Sequence, residues 1–254
     1  MRRSFTGLRV VPMRAQSQRR WWHSFWLWLT VALTLAVLIL WGHSAAAQTE
    51  RGSEIIDRAL TLQPDNEDGA AMYKQLCASC HGKNAVGDPK TVTPALAGQL
   101  QHYLIKQLVD FAEGDRTAPE MHRLVATKRL TTPQAMRNLA SYLSGLPSNN
   151  KPQLGDGKQL ARGKRVYEVS CAECHGTNGE GDELDGVPTL HGQHYSYLLM
   201  QMRSLAVGHR YSVDVDVIAD LEALSFDELT AVADYTSRLP TQPAESIAAL
   251  QSNP

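Results

Sequence analysis

Two short segments of the sequence share the pattern Cys-x-x-Cys-His. The first is QLCASCHGKNAVGD, residues 75–88, and the second is VSCAECHGTNGEGD, residues 169–182. A pair of thiols two residues apart can form a redox dithiol, supply half of a zinc site, or attach a haem covalently. The two segments contain all the cysteines of the chain, which are Cys77, Cys80, Cys171 and Cys174.

These three chemistries make different demands on the rest of the chain. A redox dithiol is expected in a thioredoxin-like βαβ context, which the sequence does not indicate. A zinc site would have to combine both segments, yet Cys77 and Cys171 lie 94 positions apart, far beyond the usual spacing of zinc ligands. Haem attachment uses every residue of the pattern, because the thiols bond to the vinyl groups and the next residue binds the iron. The sequence therefore predicts two covalent haem c groups, with His81 and His175 as axial ligands.

The similarity between the two halves of the chain extends well beyond the cysteines. At the same offset of 94, TPALAGQ (93–99) pairs with VPTLHGQ (187–193), and YLIKQL (103–108) pairs with YLLMQM (197–202). An internal repeat of this length indicates two similar structural units. The single residues that pair at this offset include Gly69 with Gly163, Tyr73 with Tyr167, and Arg116 with Arg210.

The boundaries of these units follow from the repeat and from composition. We predict a first domain at residues 66–147 and a second at residues 157–241. The polar, turn-forming stretch 148–156 is the predicted linker. Residues 48–65 form an N-terminal extension, and residues 242–254 form a C-terminal tail.

Both units are predicted to be helical. Helices are expected at residues 66–77 and 157–171, which end at the haem motifs, and at residues 101–112 and 195–206, where apolar residues recur at helical spacing. A last helix begins at Thr131 or Ser225, since Thr131-x-x-Gln134 and Ser225-x-x-Glu228 are capping-box patterns. No alternating stretch is long enough for a sheet, so the fold class is all-α.

Residues 1–47 have the layout of an export signal. Six arginines and no acidic residue flank a 17-residue apolar run, residues 25–41, and Ala45-x-Ala47 is a small-residue cleavage pattern. The run is also near the lower limit for a membrane-spanning helix, so residues 25–41 could instead remain as an anchor. Either alternative places the remaining chain in the periplasm, free or attached to the inner membrane.

The exported part of the chain is acidic. The whole chain has 25 Lys and Arg and 26 Asp and Glu, and without the six arginines of residues 1–47 the balance is 19 against 26, or about −7. This charge excludes a basic nucleic-acid-binding surface. It suits either a solvated surface or attraction to a basic protein partner.

The motifs CASCHG, PALAGQ and YLIKQL, the later Gly114-x-Arg116 and the closing LASYLSGLP resemble cytochrome c4 over residues 66–241. Cytochromes c4 are all-helical periplasmic electron carriers built from two class I cytochrome c domains, sometimes attached to the membrane. The resemblance implies that Pro94 and Pro188 orient the haem-ligating histidines through the backbone. It also implies that Arg116 and Arg210 lie near the haem propionates.

The resemblance implies that the two repeats differ in the sixth ligand of the haem iron. In the first domain the family's ligand position falls on Met121, in a proline-containing segment expected to be a loop. At the offset of 94 its counterpart is Val215, which cannot bind iron. The second haem is therefore expected to be open or to use an unusual ligand. The candidates for that ligand are His209, His191, Met200 and Met202.

Two classes of function fit these features. The first is an electron carrier, without enzymatic activity, that relays single electrons among redox proteins such as a membrane oxidase, a cytochrome complex or a dehydrogenase. The second uses an open second haem to bind or transform a small molecule, with Asp214 and Asp216 as candidate proton-transfer groups. A third alternative, within the first class of chemistry, is an electron-transfer subunit of a larger dehydrogenase.

Overall fold

The computed structural model describes residues 28–29, 51–127, 130–208, 210 and 213–241. The chain divides into residues 1–50 and residues 51–254, and the architecture below is that of the second part. Most of the predicted signal or anchor, the tail at 242–254 and the candidate ligand His209 lie outside the described residues. Within the described ranges, no helix has the length and apolar character needed to cross a membrane.

The first repeat, residues 66–147, is built from helices that surround the first haem motif. Residues 51–61, which precede it, are helical and are named α1. The further helices are α2 (Asn66–Met72), a π-helical turn (Tyr73–Cys77), α3 (Ala78–His81), α4 (Gln101–Glu113), α5 (Pro119–Thr127) and α6 (Pro133–Ser144).

The second repeat, residues 157–241, has the same order of helices. They are α7 (Leu160–Ser170), α8 (Ala172–His175), α9 (Tyr195–Ala206), α10 (Val215–Ala223) and α11 (Phe226–Thr236). The described residues contain no β-strand, only three isolated bridges between single residue pairs. The all-α fold class is therefore confirmed.

Helix ends follow local hydrogen-bonding chemistry, which the sequence revealed only in part. Ser225 forms the predicted capping box with Glu228 at the start of α11. The corresponding prediction for α6 is wrong, because its N-cap is Thr132, whose side chain accepts a hydrogen bond from the Ala135 N–H. The side chain of Gln134 bonds elsewhere, to the Gln63 carbonyl and to Asn138.

Two further predictions about the elements are corrected by the structure. Helix α7 begins at Leu160, three residues later than predicted, and the segment around Met121 forms α5 instead of a loop. The N-terminal extension contributes α1, in which Ala59 is fully buried and Ile55 contacts the core of the first repeat. The extension therefore belongs to the packed structure.

A glycine in the first helix of each repeat allows close approach to the last helix. A Cβ atom on Gly69 would lie 2.2 Å from the Asn138 carbonyl oxygen, and one on Gly163 would lie 2.1 Å from the Ala231 carbonyl oxygen. Both distances are shorter than any van der Waals contact, so only glycine permits these crossings of α2 with α6 and of α7 with α11.

The repeats bind one another through two glutamines related by the 94-residue offset. The Gln99 amide accepts a hydrogen bond from the Thr189 N–H and donates one to the Thr189 carbonyl, both at 2.9 Å. The Gln193 amide does the same with Ala95, at 3.0 and 2.9 Å. All these groups are buried, so the paired bonds fix the relative position of the two repeats.

The remainder of the interface is asymmetric, because different residues cap the two equivalent helices. The Glu183 carboxylate of the second repeat accepts hydrogen bonds from the Gln101 and His102 N–H groups at the start of α4. At the start of α9 the linker residue Gln153 supplies two acceptors instead, to the N–H groups of Tyr195 and Ser196. The linker is thus part of the interface.

We expect Gly163→Ala to lower the free energy of unfolding by about 1–3 kcal/mol, because the added methyl group forces α7 and α11 apart. Chemical denaturation of the haem-loaded protein measures the change. Gly145→Ala is the matched control, since the nearest atom to its Cβ would be 3.5 Å away, and it should change stability by less than about 0.5 kcal/mol. Equal effects of the two substitutions would contradict the close-crossing argument.

We expect Gln193→Ala to uncouple the repeats, because it leaves the buried N–H and carbonyl of Ala95 without partners. Each unpaired group costs about 1–3 kcal/mol. Calorimetry should then resolve two unfolding transitions where the parent protein has one. Gln75→Ala, at an exposed position, is the control. A single transition at the parent temperature would contradict the assigned role of this glutamine.

Candidate haem-attachment sites

The first cysteine of each motif does not have the character of a redox thiol. Burial, with a smaller contribution from Cys80, raises the pKa of Cys77 to about 11. Burial also raises the pKa of Cys171 to about 11, aided by Asp220 and Cys174. Redox-active cysteines have lowered pKa values, which these two thiols lack. Within the described residues, no group of three or more His, Cys, Asp or Glu side chains is arranged to hold a metal ion.

Each motif histidine is fixed by one hydrogen bond to a proline carbonyl. His81 Nδ1 lies 3.0 Å from the Pro94 oxygen, and His175 Nδ1 lies 3.0 Å from the Pro188 oxygen. Because a carbonyl can only accept, Nδ1 carries the proton and the lone pair of Nε2 is available to a metal. Burial lowers the pKa of both histidines, which keeps the rings neutral. Both rings thus present an unprotonated Nε2 that could bind a metal, and their role as iron ligands stays a prediction.

The same backbone geometry surrounds both histidines. Helices α3 and α8 end at Gly82 and Gly176, whose φ angles are 80° and 78°. The hydroxyl of Tyr73 donates to the Gly82 carbonyl at 2.6 Å, and that of Tyr167 donates to the Gly176 carbonyl at 2.7 Å. Since these contacts repeat so closely, the two motifs are built for the same cofactor.

Two buried arginines face each other where the repeats meet. Arg116 and Arg210 form an isolated antiparallel bridge, and both are more than nine-tenths buried. Arg116 donates to Gln107 and to the Tyr197 hydroxyl, while Arg210 donates to Gln107 and Gln201.

One donor of this pair has no acceptor. The Arg210 Nε–H is buried without any hydrogen-bond partner. Although burial raises the pKa of Tyr103, the two arginines lower it overall, which reflects a strongly positive environment. Buried guanidinium groups are costly unless they are paired with anions. Anionic carboxylates such as haem propionates would meet this requirement, and the propionate role that the resemblance implies for Arg116 and Arg210 stays a prediction.

Met121 and its counterpart in the second repeat differ in surroundings. Met121 is the third residue of α5 and packs, half-buried, against the core of the first repeat. Val215 is the first residue of α10 and is 74% exposed. Asp214 caps this helix by accepting a hydrogen bond from the Asp216 N–H, so its carboxylate has a structural role.

The other candidate ligands of the second haem occupy varied positions. Met202 packs in the core cluster around Tyr167, and Met200 is on the surface of α9. His191 is buried in the loop that follows Pro188, three residues beyond the carbonyl that holds His175, and its Nδ1 has no hydrogen-bond partner.

Some residues at the repeat interface had no assigned role in the sequence. Gln99 and Gln193 appear in the paired segments, yet nothing there shows that each binds the other repeat. His194 accepts a hydrogen bond from the Gln153 N–H through Nδ1 and donates through Nε2 to the Val86 carbonyl, at 2.9 and 2.8 Å. Its position before a helical segment was the only available signal.

Two histidines with a fixed tautomer, each next to a cysteine pair in an all-helical repeat, define a di-haem c-type cytochrome. Comparison with known proteins agrees, because residues 66–147 and 160–239 match the sequence model of the cytochrome c family. The chain therefore belongs to the cytochrome c family. It is a di-haem protein of the cytochrome c4 type, with two covalent haem c groups.

Individual relatives support this assignment. The chain is 30% identical over 174 residues to a cytochrome c4 of Pseudomonas aeruginosa, covering 65% of this chain and 84% of that protein. It is 32% identical over 194 residues to a thiosulfate dehydrogenase electron acceptor of Stutzerimonas stutzeri, covering 69% and 88%. The crystal structure of reduced cytochrome c4 from Pseudomonas stutzeri matches with a TM-score of 0.62 at 26% identity, over 70% of this chain and 100% of that one.

We expect the double variant Cys171→Ala/Cys174→Ala to retain one haem, because only the attachment in the first repeat remains. Intact mass after acid–acetone extraction counts the covalently bound groups. The matched variant Cys77→Ala/Cys80→Ala should retain only the other haem. Loss of both groups from either folded variant, or retention of both, would contradict independent attachment.

Proposed function

We propose that this di-haem electron-transfer cytochrome is exported to the periplasm and relays single electrons from a dehydrogenase or cytochrome complex towards a terminal oxidase. Each haem iron, when bound, supplies a one-electron couple. The protein supplies attachment, axial ligands and a fixed separation between the groups. The observation that carries the proposal is the hydrogen-bonded interface between the two attachment sites.

The proposal assigns a role to each residue of the two sites. His81 and His175 would bind the irons through Nε2, with their rings held by the carbonyl groups of Pro94 and Pro188. Met121 would be a further ligand of the first iron. Cys77, Cys80, Cys171 and Cys174 would form the thioether links, and Arg116 and Arg210 would bind the propionates.

The interface favours a relay over two independent carriers. The segment that holds His81 through Pro94 continues to Gln99, whose amide bonds to Thr189 in the corresponding segment of the second repeat. The two segments that hold the histidines are therefore hydrogen-bonded directly to each other. Electron transfer between cofactors benefits from such rigid positioning, because a fixed separation removes the need for a search by diffusion.

A sulfur-compound dehydrogenase is the donor that the comparisons favour. The relative from Stutzerimonas stutzeri, which matches over most of its length, is described as the electron acceptor of thiosulfate dehydrogenase. The acidic charge of residues 48–254 would assist docking to a basic surface on a partner.

The relay can be tested with the haem-loaded protein in two half-reactions. We expect the protein, reduced beforehand, to be reoxidised by membranes of the source organism in an oxygen-dependent and cyanide-sensitive reaction, followed at the haem absorption bands. A purified thiosulfate dehydrogenase with its substrate should reduce the oxidised protein. If the membranes fail to reoxidise it, the oxidase route is wrong, and if the dehydrogenase fails to reduce it, the sulfur-compound donor is wrong.

A further inference from the structure

We infer that the second repeat leaves the distal side of its haem open to a small neutral ligand, because α10 presents valine where α5 presents Met121. The inference rests on the proposed haem assignment, but not on the proposed donor or acceptor of electrons. It assigns a ligand-binding site to the second repeat and none to the first.

The two helices correspond in a register that the sequence alone does not show. Helices α5 and α10 each have nine residues, and their patterns of burial agree best when their first residues are aligned. Val125 and Leu221 are then the buried residues of the two helices. In this register Val217, also half-buried, is the counterpart of Met121, in place of Val215. Neither valine has an atom that can bind iron.

A hydrogen bond that joins α5 to α4 has no counterpart in α10 among the described residues. The ring of His122, the residue after Met121, donates through Nδ1 to the Phe111 carbonyl of α4 at 2.6 Å. The corresponding residue of α10 is Ile218, which cannot make this bond. Helix α5 is thus fixed beside the ligand position, whereas α10 lacks the equivalent constraint.

Among the residues that the structure describes, two further histidines and two methionines of the second repeat have an atom that could bind iron. Each of the four has contacts of its own elsewhere in the fold. Both ring nitrogens of His194 are used in hydrogen bonds to Gln153 and Val86. The sulfur of Met202 is in the core cluster with Tyr167, and the sulfur of Met200 accepts a hydrogen bond from the Gln201 amide. His191 follows Pro188 in the proximal segment, where its backbone N–H bonds to the Gly179 carbonyl.

The charge of α10 determines which ligands are favoured. Four acidic residues are exposed on or beside this helix, whereas α5 has Glu120 together with His122 and Arg123. Like charges repel an entering anion, and the effect is strongest at low ionic strength. A neutral diatomic molecule meets no such barrier. The four acidic residues are Asp214, Asp216, Asp220 and Glu222.

Carbon monoxide is the probe, added to the dithionite-reduced, haem-loaded protein and followed by absorption spectroscopy. We expect it to bind to one of the two haems. Val217→Met should abolish this binding and add the weak ferric band near the red end that marks sulfur–iron coordination. Val215→Met tests the alternative register, and Ile218→Met is the matched control on the same helix, with no effect expected.

The first repeat supplies the reciprocal variant. Met121→Val should open the first haem, so that both haems bind carbon monoxide.

Absence of carbon monoxide binding to the parent protein would overturn the inference, and so would binding that survives both Val217→Met and Val215→Met. His191→Ala should leave the binding unchanged, and a gain of binding in this variant would identify His191 as the sixth ligand and overturn the open site.

The preference for a neutral ligand is tested with azide, an anion, on the oxidised protein at low salt. Asp216→Asn/Asp220→Asn should increase azide affinity several-fold while leaving carbon monoxide affinity unchanged. Equal azide affinity in parent and variant would overturn the charge argument. These are binding measurements, so they remain informative if the membrane or dehydrogenase reactions of the proposed relay fail.

Discussion

The hydrogen bond from a histidine Nδ1–H to a proline carbonyl is the interaction on which each repeat depends. It fixes the tautomer and the direction of His81 and His175, with the same length of 3.0 Å in both. The backbone beside the histidine is also held, since Tyr73 and Tyr167 donate to the carbonyl of the glycine that follows each histidine. What the two repeats share most closely is therefore the set of contacts that prepares the axial ligand.

The same short segment that accepts this hydrogen bond also joins the repeats. Pro94 and Gln99 are five residues apart, and the first holds the histidine while the second bonds across to Thr189. Only a few peptide units therefore separate the contact between the repeats from the contact that holds the histidine. The second repeat has the same arrangement. In each repeat, therefore, the segment that orients the histidine is also the segment that packs against the other repeat.

The sequence allowed the fold class, the cofactors and the main helices to be predicted, because cysteine spacing and helical periodicity are local signals. The loop expected at Met121 is instead a helix, because Pro119 stands in the first turn of α5, a position that proline suits as well as it suits a loop. Thr131 and Thr132 are adjacent, and only the backbone geometry decides which one caps α6. The bonds of Gln99 and Gln193 depend on partners at least 90 positions away, which no local pattern contains.

The divergence between α5 and α10 involves more than one side chain. Arg116 is followed by α5 after two residues, whereas Arg210 is followed by α10 after four. The connection after the helix changes in the opposite sense. Five residues separate α5 from α6, but only two separate α10 from α11. A helix that must place a sulfur atom on iron cannot shift along the chain without losing that bond. If the second haem is open, as we infer, no sulfur–iron bond would constrain α10, and its altered register is what that inference predicts. The histidine–proline hydrogen bond, in contrast, has the same geometry in both repeats.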